Sequence, residues 1–289
     1  MSARFGLEAL PKQRLVVPVP AGEFLQDGVR VRKMFFESEE DVTLPAVFLT
    51  SQTTRSDAPA IVMVGSAPKP ASPSAPWLPM SLARLGLPVL AVDVRAAGEC
   101  DPRGDGAPVS MRLDGRTRFA LEGAAVRHAY GNTTLASRQA FDTVRAVDAI
   151  YMLLAKTPPR QVFVVGEGNG GLWATLATIQ DLRIAGMLGS ASELTGAEHY
   201  EVSDYFWVPG LLADADLAEL PALCLPRPVL VVDPVDALLQ PLSAEKAAEC
   251  LTWTRAVYAA AGVGKRPQLR CGLREPDRAA AAIRIALRP

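Results

Sequence analysis

Short, wholly apolar runs alternate with amphipathic stretches along this chain, and the alternation predicts most of its elements. Ala60–Gly65 (AIVMVG), Leu87–Val94 (LPVLAVDV), Gln161–Val165 (QVFVV), Arg183–Ser190 (RIAGMLGS) and Arg227–Asp233 (RPVLVVD) are rich in β-branched residues. Gly, Pro or polar residues bound them, so they read as strands buried on both faces. Between them, Trp77–Leu85 is helix-like, and in Ala140–Ala155 the residues Phe141, Val144, Val147, Tyr151 and Leu154 share one helical face. A helix from Gly171, one over Ser243–Ala261 and a closing one over Pro276–Leu287 follow, with Pro267–Cys271 as a short strand.

The opening of the chain has another pattern. Arg14–Pro18, Val29–Glu37 and Leu44–Thr50 read as strands, and polar Ser51–Pro59 reads as a turn or loop. Strands without intervening helices predict an antiparallel start, and the later strand–helix alternation predicts a parallel sheet. The expected class is α/β, a mostly parallel twisted sheet with helices on both faces. Residues 1–13 are expected to be a leader or linker remnant and 14–289 one domain. Residues 193–220 are expected to form a lid-like insertion over the C-terminal edge of the strands.

Composition removes several function classes. The chain has 289 residues, 49% of them hydrophobic and 21% charged, which suits a large buried core. With 30 basic and 31 acidic residues it has no field to attract nucleic acid or an anionic membrane. No apolar run reaches the ~20 residues that span a bilayer, and MSARFGLEAL lacks the charged start and apolar core of a signal peptide. The chain as written suits the cytoplasm, and a secreted parent shorn of its leader suits it as well. Cys100, Cys224, Cys250 and Cys271 are scattered with no C-x-x-C pair, and buried thiols are expected.

The candidate chemistry lies in Gln161–Gly171, QVFVVGEGNGG, where a strand runs into four glycines and then a helix. Gly166, Gly168 and Gly171 satisfy G-x-G-x-x-G, the fingerprint of a dinucleotide site. The ribose-binding acid expected about 20 residues on has no counterpart in IAGMLGS, and other parallel-type strands precede the motif. The same geometry also carries the G-x-S-x-G nucleophile elbow.

Separated features favour the elbow. Asp93-Val-Arg95-Ala-Ala-Gly98-Glu-Cys100 resembles the D-x-R-G-x-G-x-S loop of α/β-hydrolases, with Ala96 and Cys100 replacing its Gly and Ser. Thr134–Leu154 resembles the helix before the elbow strand, and Phe206–Asp216 with Leu220–Asp236 resembles the segment leading to the acid. From about Leu15 to the last helix, the chain resembles acetyl xylan esterase-like α/β-hydrolases. That resemblance implies a Ser-Asp-His order in which the histidine deprotonates the serine and the acid orients the histidine. It puts Gly168 at the nucleophile, Asp236 at the acid, and the missing histidine within Gly272–Asp277. The only histidines are His128 and His199, both ahead of the acid, so no triad in hydrolase order can be built.

Substitutes are few. Glu167, beside the turn, is a general-base candidate, though a carboxylate there more commonly points away or pairs with an arginine. Cys271 suits the core, Ser190 and Ser192 suit a loop start, and neither histidine shows a metal-ligand spacing. The loop from Asp101 to Gly106 lacks the alternating oxygen ligands of a calcium site. Backbone amides outlast any lost side chain, so Gly65, Ser66, Glu167, Gly168 and Asn169 are expected to line a binding crevice. Trp207, with Tyr200, Tyr205 and Phe206, can stack on a sugar or pack the insertion down. A carbohydrate or ester ligand, a partner protein or a fused catalytic domain, and no cofactor or metal, are the resulting expectations.

Overall fold

A computed structural model describes residues 15–65, 77–100, 133–194, 208, 211–236 and 239–287. Residues 1–13, the Asp101–Gly106 loop, Ser66, His128, His199, Tyr200, Tyr205, Phe206 and Trp207 lie outside them, as does most of the expected insertion.

Nine strands form one sheet: β1 (Val19–Gln26), β2 (Val29–Glu39), β3 (Val42–Ser51), β4 (Ala60–Gly65), β5 (Val89–Val92), β6 (Val162–Glu167), β7 (Ile184–Ser190), β8 (Val229–Val232) and β9 (Pro267–Arg270). Their order is β1-β2-β3-β5-β4-β6-β7-β8-β9. The first three strands and the β3–β5 pair are antiparallel, and every later pairing is parallel. The expected antiparallel opening and parallel body are both present.

Among the described residues six helices cover the sheet: α1 (Leu78–Arg84), α2 (Leu135–Leu153), α3 (Gly170–Gln180), α4 (Ala244–Cys250), α5 (Thr252–Ala260) and α6 (Pro276–Ala286). Along β4, Ala60, Val62 and Val64 pack with α2 and α3, while Ile61 and Met63 pack with α1 and α6. Both faces are therefore apolar, which is why the parallel strands read as unbroken apolar runs rather than alternating ones. Helix α2 starts at a capping box, in which Thr134 Oγ1 accepts from the Ser137 amide and Ser137 Oγ accepts from the Thr134 amide.

Two expectations are corrected. Arg14–Pro18 is not the first strand: Leu15–Pro18 is irregular, and β1 begins at Val19. Pro18, Pro20 and Gly22 hide the strand in the sequence, whereas pairing with β2 across a bulge between Pro20 and Gly22 creates it. Ser243–Ala261 is two helices, broken at Leu251, which is 2% exposed. Burying Leu251 is compatible with the break.

The strand order sets the position of the site. The chain leaves β4 through α1 toward β5 on one side, and leaves β6 through α3 toward β7 on the other. Helices α1 and α3 lie on opposite faces, so the C-terminal ends of β4 and β6 flank the point where the winding reverses. Ligands of open α/β sheets bind at that crevice.

Candidate functional site

The turn from β6 into α3 is built by close backbone approach. A Cβ on Gly166 would lie 2.1 Å from the Gly170 carbonyl oxygen, and one on Gly170 would lie 2.3 Å from that of Val64. One on Gly171 would lie 2.3 Å from Ser192 Oγ. These glycines thus let α3 press against the strands, a role that needs no bound pyrophosphate. Gly168 sits at the apex with φ +56°, the strained left-handed conformation of a nucleophile elbow. Its amide donates to the Ser190 carbonyl at 3.0 Å and its own carbonyl accepts from Gly171 at 3.0 Å.

The loop after β5 turns tightly around Asp93. Gly98 has φ +55°, and a Cβ there would lie 2.3–2.6 Å from the Asp93 carboxyl group, whose Oδ2 accepts the Glu99 amide at 3.0 Å. Ala96, where that loop pattern has glycine, has φ +57°. The left-handed penalty of ~1–2 kcal/mol outweighs the ~0.4–1 kcal/mol of chain entropy a glycine adds. Ala96→Gly is therefore expected to stabilise the protein by roughly 0.5–1 kcal/mol, measured as a higher urea midpoint at unchanged slope.

Arg95, in the same loop, is anchored rather than available. Its Nε and Nη2 donate to Asp142 of α2 at 2.8 and 2.6 Å, and Nη1 reaches Glu39. Burial works against its charge, but the Asp142 and Glu39 carboxylates more than offset it and hold its pKa above the ordinary value.

Asp236, at the implied acid position, is occupied in its own loop: Oδ1 accepts the Gln240 amide at 2.8 Å, and its amide donates to the Gln240 carbonyl. Sequence reasoning passed over Asp233, the last residue of RPVLVVD. Its Oδ2 accepts the Leu273 amide at 2.8 Å, tying the acid loop to the loop where the histidine is missing. A carboxylate closing an apolar strand was the available signal. Asp233 and Asp236, both in the loop after β8, thus each hold a backbone amide.

Burial weakens two of the thiols as nucleophiles. Cys224 is fully buried, which pushes its pKa up to about 12, and burial plus the nearby Asp233 charge raises that of Cys271. A cavity of about 30 Å³ beneath the turn is walled by Gly168, Gly171, Thr175, Gly189, Ser192 and Leu217, among others. That is room for about one or two waters and far short of a sugar ring.

Glu167 differs from all of these. It pairs in register with Gly65 of β4 and Ser190 of β7, at the reversal point. A Cβ on Gly65 would stand 3.2 Å from Glu167 Cβ and 3.7 Å from its Oε2, so the glycine leaves the carboxyl group its space. Among the described residues its carboxyl group makes no hydrogen bond or ion pair, and desolvation alone holds its pKa above the usual carboxylate range. Of the two ordinary expectations for it, pointing away or pairing with an arginine, the second finds no arginine among the described residues. Gly65, Glu167, Gly168 and Asn169 are thus brought together, and Asp236 lies in the loop after β8, whose Val235 bridges to Glu193 beyond β7.

A parallel sheet wound both ways, an antiparallel start and a tight glycine turn with positive φ between β6 and α3 define an α/β-hydrolase fold. Solved structures agree. A candidate acetyl xylan esterase from Bacteroides fragilis superposes with a TM-score of 0.68 at 14% identity, covering 93% of this chain and 73% of the other. The methylesterase BT1017 gives 0.65 at 18%, covering 97% and 60%. The acetyl xylan esterase from Paenibacillus sp. R4 gives 0.59 at 14%, covering 99% and 91%. No family model and no curated protein sequence matches the chain. No helix among the described residues is long and apolar enough to cross a membrane.

Proposed function

We propose that this chain is a non-catalytic α/β-hydrolase domain, related to carbohydrate acetyl esterases, that binds a carbohydrate or ester ligand or supports a partner. The partner is a separate protein or a catalytic domain on the same polypeptide. One observation carries the reading. The elbow backbone is intact at φ +56°, yet the residue on it is Gly168, which has no side chain to attack with. The chain also has no histidine after His199 to serve as a base in hydrolase order. Without nucleophile and base, the catalytic unit loses its function as a whole, because such residues act together.

The purified chain is expected to hydrolyse neither p-nitrophenyl acetate nor acetylated xylan above the buffer rate. Turnover that co-purifies with the chain and vanishes on replacing one named side chain rejects the proposal.

Glu167 supports a second reading, an ester hydrolase in which that carboxylate activates a water directly. A desolvated carboxyl group with no described partner in a crevice fits a general base. This reading requires hydrolysis that Glu167→Ala abolishes, whereas the first requires none in either form.

A further inference from the structure

Residues 250–289 hold eight of the chain's 30 basic residues and two of its 31 acidic ones. A nearly neutral chain is therefore locally basic at one end of its sheet, where β9 forms a free edge. Lys265, Arg266, Arg270, Arg274, Arg278 and Arg284 are all exposed. Elsewhere Arg30, Arg55, Arg84, Arg138 and Arg183 each meet a carboxylate. Beyond Lys246, which pairs with Glu249 at 3.2 Å, no basic residue forms an ion pair among the described residues. Glu275 and Asp277 lie at the start of α6, where carboxylates suit the helix dipole.

Protection of a free edge does not account for this charge. Pro267 opens β9, and Arg270 Nη1 donates to the Leu269 carbonyl at 3.0 Å, so these two residues already blunt the strand. The helices at this end of the sheet add exposed apolar groups: Trp253 on α5 is 58% exposed and Ile285 on α6 is 62% exposed. Helix α5 packs on β9 from one face of the sheet, and α6 lies on the other. Arginine beside exposed aromatic and aliphatic side chains is the composition of a protein interface. A long polyanion or an anionic membrane would also meet the acidic remainder of the chain, whereas a short acidic segment meets the cations alone. A second copy docked through the same face would set cation against cation.

We propose that the β9 edge, with α5 and α6, docks an acidic segment of a partner protein. Carboxylates of that segment meet the unpaired arginines, and its apolar side chains cover Trp253 and Ile285. This rests on the partner role proposed above.

The test is fluorescence anisotropy of the full chain with the fluorescein-labelled peptide EDLEEILDDE and its amide counterpart QNLQQILNNQ. The acidic peptide is expected to bind, and to bind less tightly as salt is raised. The amide peptide is expected to bind at least about tenfold more weakly. Arg270→Glu/Arg274→Glu/Arg278→Glu is expected to lose about tenfold or more in affinity for the acidic peptide. Arg274→Gln/Arg278→Gln is expected to lose less, in the same direction, and Trp253→Ala to weaken binding without changing its salt dependence. Lys156→Glu, which reverses an exposed cation outside this surface, is expected to bind as the wild type does. Circular dichroism melts confirm that each variant is folded.

Equal affinity for the two peptides overturns the proposal, as does an acidic peptide held as tightly by the triple variant as by the wild type. Tighter binding of oligothymidylate or of phosphatidylserine vesicles also overturns it, because the surface then takes polyanions in general. No binding of the acidic peptide at low salt overturns it outright. None of these readouts involves ester hydrolysis, so the docking surface and the non-catalytic reading fail separately.

Discussion

Asp142→Ala is expected to destabilise the protein by about 3–5 kcal/mol, as measured by equilibrium unfolding in guanidinium chloride. Asp142 is fully buried on α2 and accepts three hydrogen bonds from Arg95: its amide at 3.0 Å, Nε at 2.8 Å and Nη2 at 2.6 Å. Glu39 of β2 shares Arg95 and also pairs with Arg138 at 3.0 Å. The network joins the antiparallel opening, the loop after β5 and the helix before the elbow strand. Removing Asp142 leaves a mostly buried guanidinium with one carboxylate and strips an acceptor from the Arg95 amide. The double variant Arg95→Ala/Asp142→Ala is expected to lose less than the sum of the single changes, because no uncompensated charge remains. Additive losses would mean that the pair is not energetically coupled.

Much of this architecture is legible in the sequence because the apolar runs are local and unambiguous. AIVMVG and the VLVV of β8 have no polar position to expose, so a doubly covered sheet is the only home for them. What the sequence does not show depends on partners far along the chain. VPAGEFLQ carries proline and glycine and is exposed along nearly its whole length, and it becomes a strand only because β2 provides a pairing edge. Asp233 looks no different from Asp236 until the Leu273 amide comes within 2.8 Å of it. The site divides the same way. The glycines were readable as an elbow, but the isolation of Glu167 was not. Among the described residues its carboxyl group has no charged partner, because every other residue on β4, β6, β7 and α3 is neutral.

The same glycines allow frame and chemistry to be separated by experiment. Gly166→Ala is expected to cost about 3 kcal/mol or more, because its methyl would overlap the carbonyl oxygen of Gly170 at 2.1 Å and the Gly171 amide at 2.5 Å. Both contacts are backbone, so relief requires the first turn of α3 to leave the strands. Gly168→Ser is a different change. It asks a side chain to adopt φ +56°, which costs about 1–2 kcal/mol, a strain that nucleophile elbows characteristically carry. The variant is expected to fold, to melt a few degrees lower, and to place a hydroxyl at the apex of the turn. Its p-nitrophenyl acetate turnover is nevertheless expected to equal that of the wild type, and a fluorophosphonate probe is expected to leave it unlabelled. A serine hydroxyl needs a base to become a nucleophile, and residues 200–289 contain no histidine. Covalent labelling of Gly168→Ser at a rate above denatured protein would show that some group does reach residue 168 as a base. The argument that the base is missing would then fail, and the native glycine alone would account for the lack of turnover.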